Sequence, residues 1–399
     1  MSNPHDADLK TADTWAELDA GAGQSDQGLQ GAKLSHEAAA DQRRKRVERS
    51  GARSKNNGQG GQPGGRKAQG HARRTLQDLS APPAAAVSEP AKRHSKSKAG
   101  AFALRPGEPF QKDVGRIVRR QLDKALRDLC RLGATADEAI HNVRKRFKRV
   151  RAVLRLVRDE LGDRLYQYEN EALRDAAAAF SEVRNARVLV DAVEKLRQRG
   201  SDIAPAAFDA LERFLKARQC DVHDRLARNV EAMDELREAI ENGRSRAVNW
   251  PLPRDGRRAI RRGLRRTCKA GCRALEDAEK ETTSEHLHEC RKQAKYLYHQ
   301  VQMLERVASP AVIKLAEQLH ELEQKLGDDH DLGMLRVEVA ACVAAGLPDV
   351  NERLLALIDD WRKELQGECL RRAQKIYRED SAVLRHRFRD CSKQLSLKT

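Results

Sequence analysis

Ala139-Ile140-His141-Asn142-Val143-Arg144-Lys145-Arg146-Phe147-Lys148 and His286-Leu287-His288-Glu289-Cys290-Arg291-Lys292-Gln293-Ala294-Lys295 read as one helix written twice. A shift of 147 carries His141 onto His288, Arg144 onto Arg291, Lys145 onto Lys292 and Lys148 onto Lys295, so His-x-x-Arg-Lys-x-x-Lys occurs in both. The apolar residues move with it: Ile140, Val143, Phe147, Val150, Leu154 and Val157 map onto Leu287, Cys290, Ala294, Leu297, Val301 and Leu304. Spacing of three and four residues buries one face, so each stretch predicts an amphipathic helix.

At about 100° per residue, His141, Arg144, Lys145, Lys148, Arg151 and Arg155 share a sector roughly 120° wide, away from the buried stripe. Residues 141–158 hold eight cations and no acid. An ordinary solvated helix mixes signs, because opposite charges at i and i+4 support it and like charges repel. A polyanionic partner accounts for the imbalance, and the second copy strengthens that reading over a merely soluble basic face.

The rest of the composition agrees. Aromatic residues make up 4% of the 399 residues and charged residues 34%, which points to helical bundles built on Leu, Ala and Val. The formal net charge of +17 favours nucleic acid, an anionic membrane or a polyphosphate-like anion as partner. Eight cysteines lie scattered without a Cys-x-x-Cys pair, which predicts free thiols and a reducing, cytoplasmic setting. No apolar run approaches a membrane span, and the N-terminus lacks the pattern of a secretory signal.

Residues 1–105 read as a low-complexity, disordered tail, acidic over its first 42 residues and basic thereafter. From Pro109 to about 395 the pattern is helical throughout and no alternating run predicts a strand. Glycines and prolines, among them Gly162, Gly200, Gly243, Ser309-Pro310, Gly327 and Gly346, mark expected breaks. The Trp250-Pro251-Leu252-Pro253 segment lies midway and reads as a joint between a first helical half, 106–249, and a second, 250–399.

Two further blocks repeat in order. Arg116, Arg119 and Arg120 correspond to Arg258, Arg261 and Arg262 at a shift of 142, and Arg184-Asn185 corresponds to His330-Asp331 at 146. This pattern predicts an all-α fold of two tandem four-helix bundles related by internal duplication. The second opening helix carries Arg257, Arg258, Arg261, Arg262, Arg265, Arg266, Lys269 and Arg273 before any acid, so the second half is expected to bind an anion more strongly.

The repeated His-x-x-Arg-Lys-x-x-Lys helix and the ordered blocks around it resemble the CHAD domain, over about residues 109–395. The resemblance implies two four-helix bundles about an approximate two-fold axis, a basic channel that binds inorganic polyphosphate, and association with polyphosphate granules. Carried over by position, the ligand residues would be His141, Arg144, Lys145, Lys148, His288, Arg291, Lys292 and Lys295. Arg151 and Arg155 join them from the same face, and Arg116, Arg119, Arg120, Arg258, Arg261, Arg262 and Arg265 from the opening helices. The Arg184-Asn185 and His330-Asp331 blocks depart from the family's Arg-Asp, and their role stays open.

Other chemistries fit less well. Single-strand nucleic-acid binders combine basic grooves with aromatics, and only Tyr296 and Tyr298 lie near the second basic face, so sequence-nonspecific nucleic-acid binding is the runner-up. A phosphohistidine carrier through His141 or His288 is a further alternative. His286, His288, His320, Asp328, Asp329, His330 and Asp331 match no standard metal-ligand spacing. With no nucleophile beside a base, the chain reads as a binding module with neither cofactor nor enzymatic activity.

Overall fold

The computed structural model describes residues 100, 102–131, 136–178, 180–378 and 381–396. Most of the segment read as a tail lies outside the described residues, but the start of the folded chain is earlier than the sequence suggested. Phe102 and Leu104 are 4% and 2% exposed, inside the core. The Leu104 amide donates to the Met303 carbonyl at 2.8 Å, and the Arg116 guanidinium donates to the Ala103 carbonyl at 2.9 Å. Arg116 also pairs with the buried Asp113 at 2.6 Å, so it fastens this entry segment and is withdrawn from the anion-binding set.

Twelve α-helices follow, and the described residues contain no strand. The first half supplies α1 (Phe110–Leu129), α2 (Ala136–Leu156), the single turn α3 (Arg158–Leu161), α4 (Asp163–Ala178), α5 (Ser181–Arg199), α6 (Pro205–Arg228) and α7 (Val230–Arg246). The second supplies α8 (Arg257–Lys280), α9 (Ser284–Gln302), α10 (Pro310–Ala344), α11 (Glu352–Tyr377) and α12 (Ser381–Ser396). The His-x-x-Arg-Lys-x-x-Lys stretches are α2 and α9. Thr283 caps α9 by accepting from the His286 amide at 3.2 Å, and Pro205 and Pro310 open α6 and α10, where a missing N–H costs nothing.

Two of the expected breaks are not breaks. Gly243 lies inside α7, and Gly327 lies inside α10, which runs 35 residues without interruption. Interior glycine costs about 1 kcal/mol relative to alanine, a cost that helix packing overrides. Beside Gly327 lies the Arg291 guanidinium, whose Nη2 is 3.4 Å from where a Cβ would stand, an ordinary contact distance. On the opposite wall the corresponding stretch is divided into α4 and α5, with Phe180 buried between them.

The two halves of the sequence do not keep separate cores. One apolar cluster joins α1, α2, α8, α9, the first part of α10 from Val312 to Leu326, the end of α11 and α12. A second joins Leu189 to Leu196 of α5, α6, Leu332 to Cys342 of α10 and Leu354 to Leu365 of α11. Each fully buried Leu or Ile contributes roughly 1.5–3 kcal/mol, so both clusters tie the halves together across the Trp250 segment. Trp250 is itself buried, its indole donating to Glu169 at 3.4 Å.

Between the clusters the apolar pattern stops for a few residues. On α10 it stops at Gly327, Asp328, Asp329, His330 and Asp331, and on α5 at Arg184 and Asn185. This polar seam is where α2 and α9 point their cations.

Candidate functional site

Two adjoining chambers occupy the seam, one of about 100 Å³ and one of about 880 Å³. Arg144, Lys148, Arg184, Arg291 and Lys295 line both, so each chamber receives cations from both of the repeated helices. Arg151, His288 and Lys292 line the smaller chamber, and His141 and Lys145 the larger. Nine of the ten residues expected from α2 and α9 thus converge there. The tenth, Arg155, is held back: its guanidinium stacks 4.1 Å from the centre of the Tyr296 ring.

The arginines of the opening helices do not reach the seam. Arg119, Arg120, Arg258, Arg261, Arg262 and Arg265 are exposed and line neither chamber. The reason is rotational: α1 turns Val114, Ile117, Val118 and Leu122 inward, and α8 turns Ala259, Ile260 and Leu264 inward, which places these arginines on the outer face. The ground for expecting the second half to bind the more strongly inside the channel falls with them.

The seam also recruits residues whose role was open. Arg184, Asn185 and His330 line the smaller chamber, and Arg184 and Asp331 the larger. The His288 and His330 ring centres lie 5.4 Å apart. Lys195, Arg149 and Arg174 add charge and were not singled out in the sequence. The repeat of the late block at a constant shift was the available signal; what it lacked was any indication that the block marks the gap between two apolar clusters.

Eight cations and, among the described residues, no carboxylate line the smaller chamber. The larger one mixes ten cations with Glu321, Glu323, Asp328 and Asp331. Those carboxylates are engaged: Glu323 meets Lys295 at 2.5 Å, Asp328 meets Lys195 at 2.5 Å, and Asp331 faces Arg184 at 3.8 Å. Asp329, behind the wall, accepts from Arg362 and Gln366. Among the described residues no three His, Cys, Asp or Glu side chains converge as a metal site, and no helix is long and apolar enough to cross a membrane.

Protonation reports the field inside. Burial, reinforced by Arg291 and opposed by Glu323, brings the Lys295 ammonium down to about 8. Burial works against the Glu323 carboxylate, yet Lys295, Arg291 and Lys148 override it and hold the acid at about 2. Both partners of one ion pair are shifted down, as expected where cations outnumber acids. Burial, with Lys145, Lys148 and Arg184, keeps His141 below its ordinary value, and burial with Arg149 and Arg146 lowers Lys145. An anion entering the seam would relieve all of these.

A family model for the CHAD domain matches residues 116–340, and the chain belongs to that family. Among solved structures it is similar to PptA from Streptomyces chartreusis, with 16% sequence identity and a TM-score of 0.48 over 68% of this chain and 98% of that one. No curated protein matches.

Proposed function

We propose that this chain binds linear inorganic polyphosphate along the seam, as a binding module and not as an enzyme, and that this binding brings it to polyphosphate granules. The observation that carries the reading is the convergence of the two His-x-x-Arg-Lys-x-x-Lys faces on one cavity. Membership of the CHAD family supports it. A linear anion with no bases asks for cations in a row and no stacking platform. The aromatic faces nearby are already occupied: Tyr296 lies under Arg155, and Tyr298 stacks on His320 at 4.8 Å. The Ser181 hydroxyl is engaged by Arg144 at 3.0 Å, which leaves the lining suited to holding phosphate.

The test is a competition series at fixed salt, because basic proteins bind many polyanions and the ranking is diagnostic. Labelled long-chain polyphosphate is challenged with single-stranded DNA, RNA, heparin and ATP, and unlabelled polyphosphate is expected to compete best at equal charge. Lys145→Glu with Lys292→Glu, one change from each repeated helix, should weaken binding at least tenfold with helicity retained by circular dichroism. A nucleic acid of defined sequence that displaces polyphosphate more effectively than polyphosphate itself would overturn the reading.

A further inference from the structure

The strongest concentration of charge outside the seam is the outer face of α8. Arg258, Arg261, Arg262, Arg265, Lys269 and Arg273 are all exposed. At about 100° per residue they fall within a sector roughly 120° wide, and at 1.5 Å per residue they extend over about 22 Å. Among the described residues none of the six has an ion-pair partner, whereas the flanking Arg257 and Arg266 are held by Asp255 and Asp159. A run of like charges costs helix stability, and here no counter-ion from the protein offsets it.

The ridge is firmly mounted. The inner face of α8 is buried along its length, and Gly263 lets it lie directly on the backbone of Leu156 at the end of α2. Gly271 likewise leaves room for the Tyr377 ring. α12, which packs beside α8, presents Arg389 and Lys393 to solvent. The ridge residues line neither chamber of the seam, so they do not serve a ligand held there.

We propose that the outer face of α8 is a second, independent anion surface, and that its partner is the phosphate backbone of duplex nucleic acid. An open, convex row of guanidinium groups suits a ligand too thick to enter a cleft, and guanidinium pairs with phosphate in a planar, bidentate manner. α8 carries no aromatic residue along its whole length, so it offers no ring platform for unpaired bases. Binding is therefore independent of sequence, made of phosphate contacts alone, and steeply salt-dependent. The chain can hold a duplex outside while the seam is filled.

The experiment uses the full chain, a labelled 30-base-pair DNA duplex and long-chain polyphosphate. The variant Arg258→Glu, Arg262→Glu, Arg265→Glu reverses three exposed charges. It should lower duplex affinity at least tenfold and reduce the salt slope by about 2 to 3, given roughly 0.9 per phosphate contact. Polyphosphate affinity should stay within about twofold, and saturating polyphosphate should leave wild type still able to bind the duplex. Wild-type affinity for the duplex in this variant, or complete displacement of duplex by polyphosphate, would overturn the proposal. Loss of polyphosphate binding with duplex binding intact would make the ridge an extension of the seam site. Loss of binding only to vesicles of phosphatidylglycerol would make it a lipid surface. The duplex measurement stands whether or not the seam takes polyphosphate, so the two assignments fail separately.

Discussion

Arg144 and Arg291 occupy the same place in the repeated motif and live in different surroundings. Arg144 donates to the Ala177 carbonyl at 2.9 Å and to the Ser181 hydroxyl at 3.0 Å, spanning the end of α4 and the start of α5. Arg291 meets Gly327 at the position that corresponds to Ser181 by a shift of 146, where no side chain is present to accept from its guanidinium. One guanidinium is committed to the wall; the other is held ready in the cavity. The difference teaches that a repeated motif can divide its labour, with the first arginine building the wall and the second, on the proposed reading, left for the ligand.

The largest effect should come from deleting these two groups in turn. Arg144→Ala removes charge-assisted hydrogen bonds worth about 1.5–3 kcal/mol, and the melting temperature should fall measurably. Arg291→Ala removes a buried cation that makes no such hydrogen bonds to the wall, so stability should hold or rise while long-chain polyphosphate binding falls by about two orders of magnitude, the equivalent of ~2.7 kcal/mol. If thermal denaturation and binding assays gave the same profile for both variants, the division of labour would be refuted.

Next comes pH. Burial brings the Lys295 ammonium down to about 8, and an anion beside it would favour its protonated form. Affinity should therefore be full below about pH 7 and weaken as pH rises through 8, by up to about tenfold per unit above that point. Lys295→Arg keeps the charge and should flatten the profile between pH 7 and 9 in a fluorescence titration. A wild-type profile that is already flat would count against Lys295 as a ligand contact.

The smallest effect is the most specific. Gly327→Ser gives Arg291 the kind of partner that Arg144 has and removes an interior glycine, so stability should rise by roughly 0.5–1 kcal/mol. Polyphosphate affinity should fall about three- to fivefold, since a hydrogen bond of about 1 kcal/mol must be given up. Ser181→Gly, the reverse exchange, should lower stability. Equal affinity in wild type and Gly327→Ser would show that Arg291 is no freer than its counterpart.

How much of this was legible beforehand depends on what each residue needed. The helices and the inward faces of α2 and α9 were readable because a cationic sector opposite a regular apolar stripe is a local property of the chain. The outer ridge of α8 has the same local signature. Which of two charged faces looks into a cavity depends on the helices packed around it, and no spacing rule reports that. Gly327 read as a break because glycine usually is one, whereas it lies inside α10 beside the Arg291 guanidinium. The late blocks were visible as a repeat, but their position between Leu326 and Leu332 on α10 acquires meaning only when those leucines fall into different clusters.

The continuity of α10 has a consequence for how a ligand is received. A helix that crosses the seam unbroken, anchored in one cluster by Leu319 and Leu322 and in the other by Leu335 and Val339, resists any hinge that would swing the clusters apart. That wall is preorganised, so on the proposed reading its residues would lose little conformational entropy when a polymer binds. The opposite wall is jointed between α4 and α5, and Arg144 is the clasp across the joint. On the proposed reading, accommodation of thick or branched anions would fall to that clasp, which would make the first copy of the motif the gauge of what the seam admits.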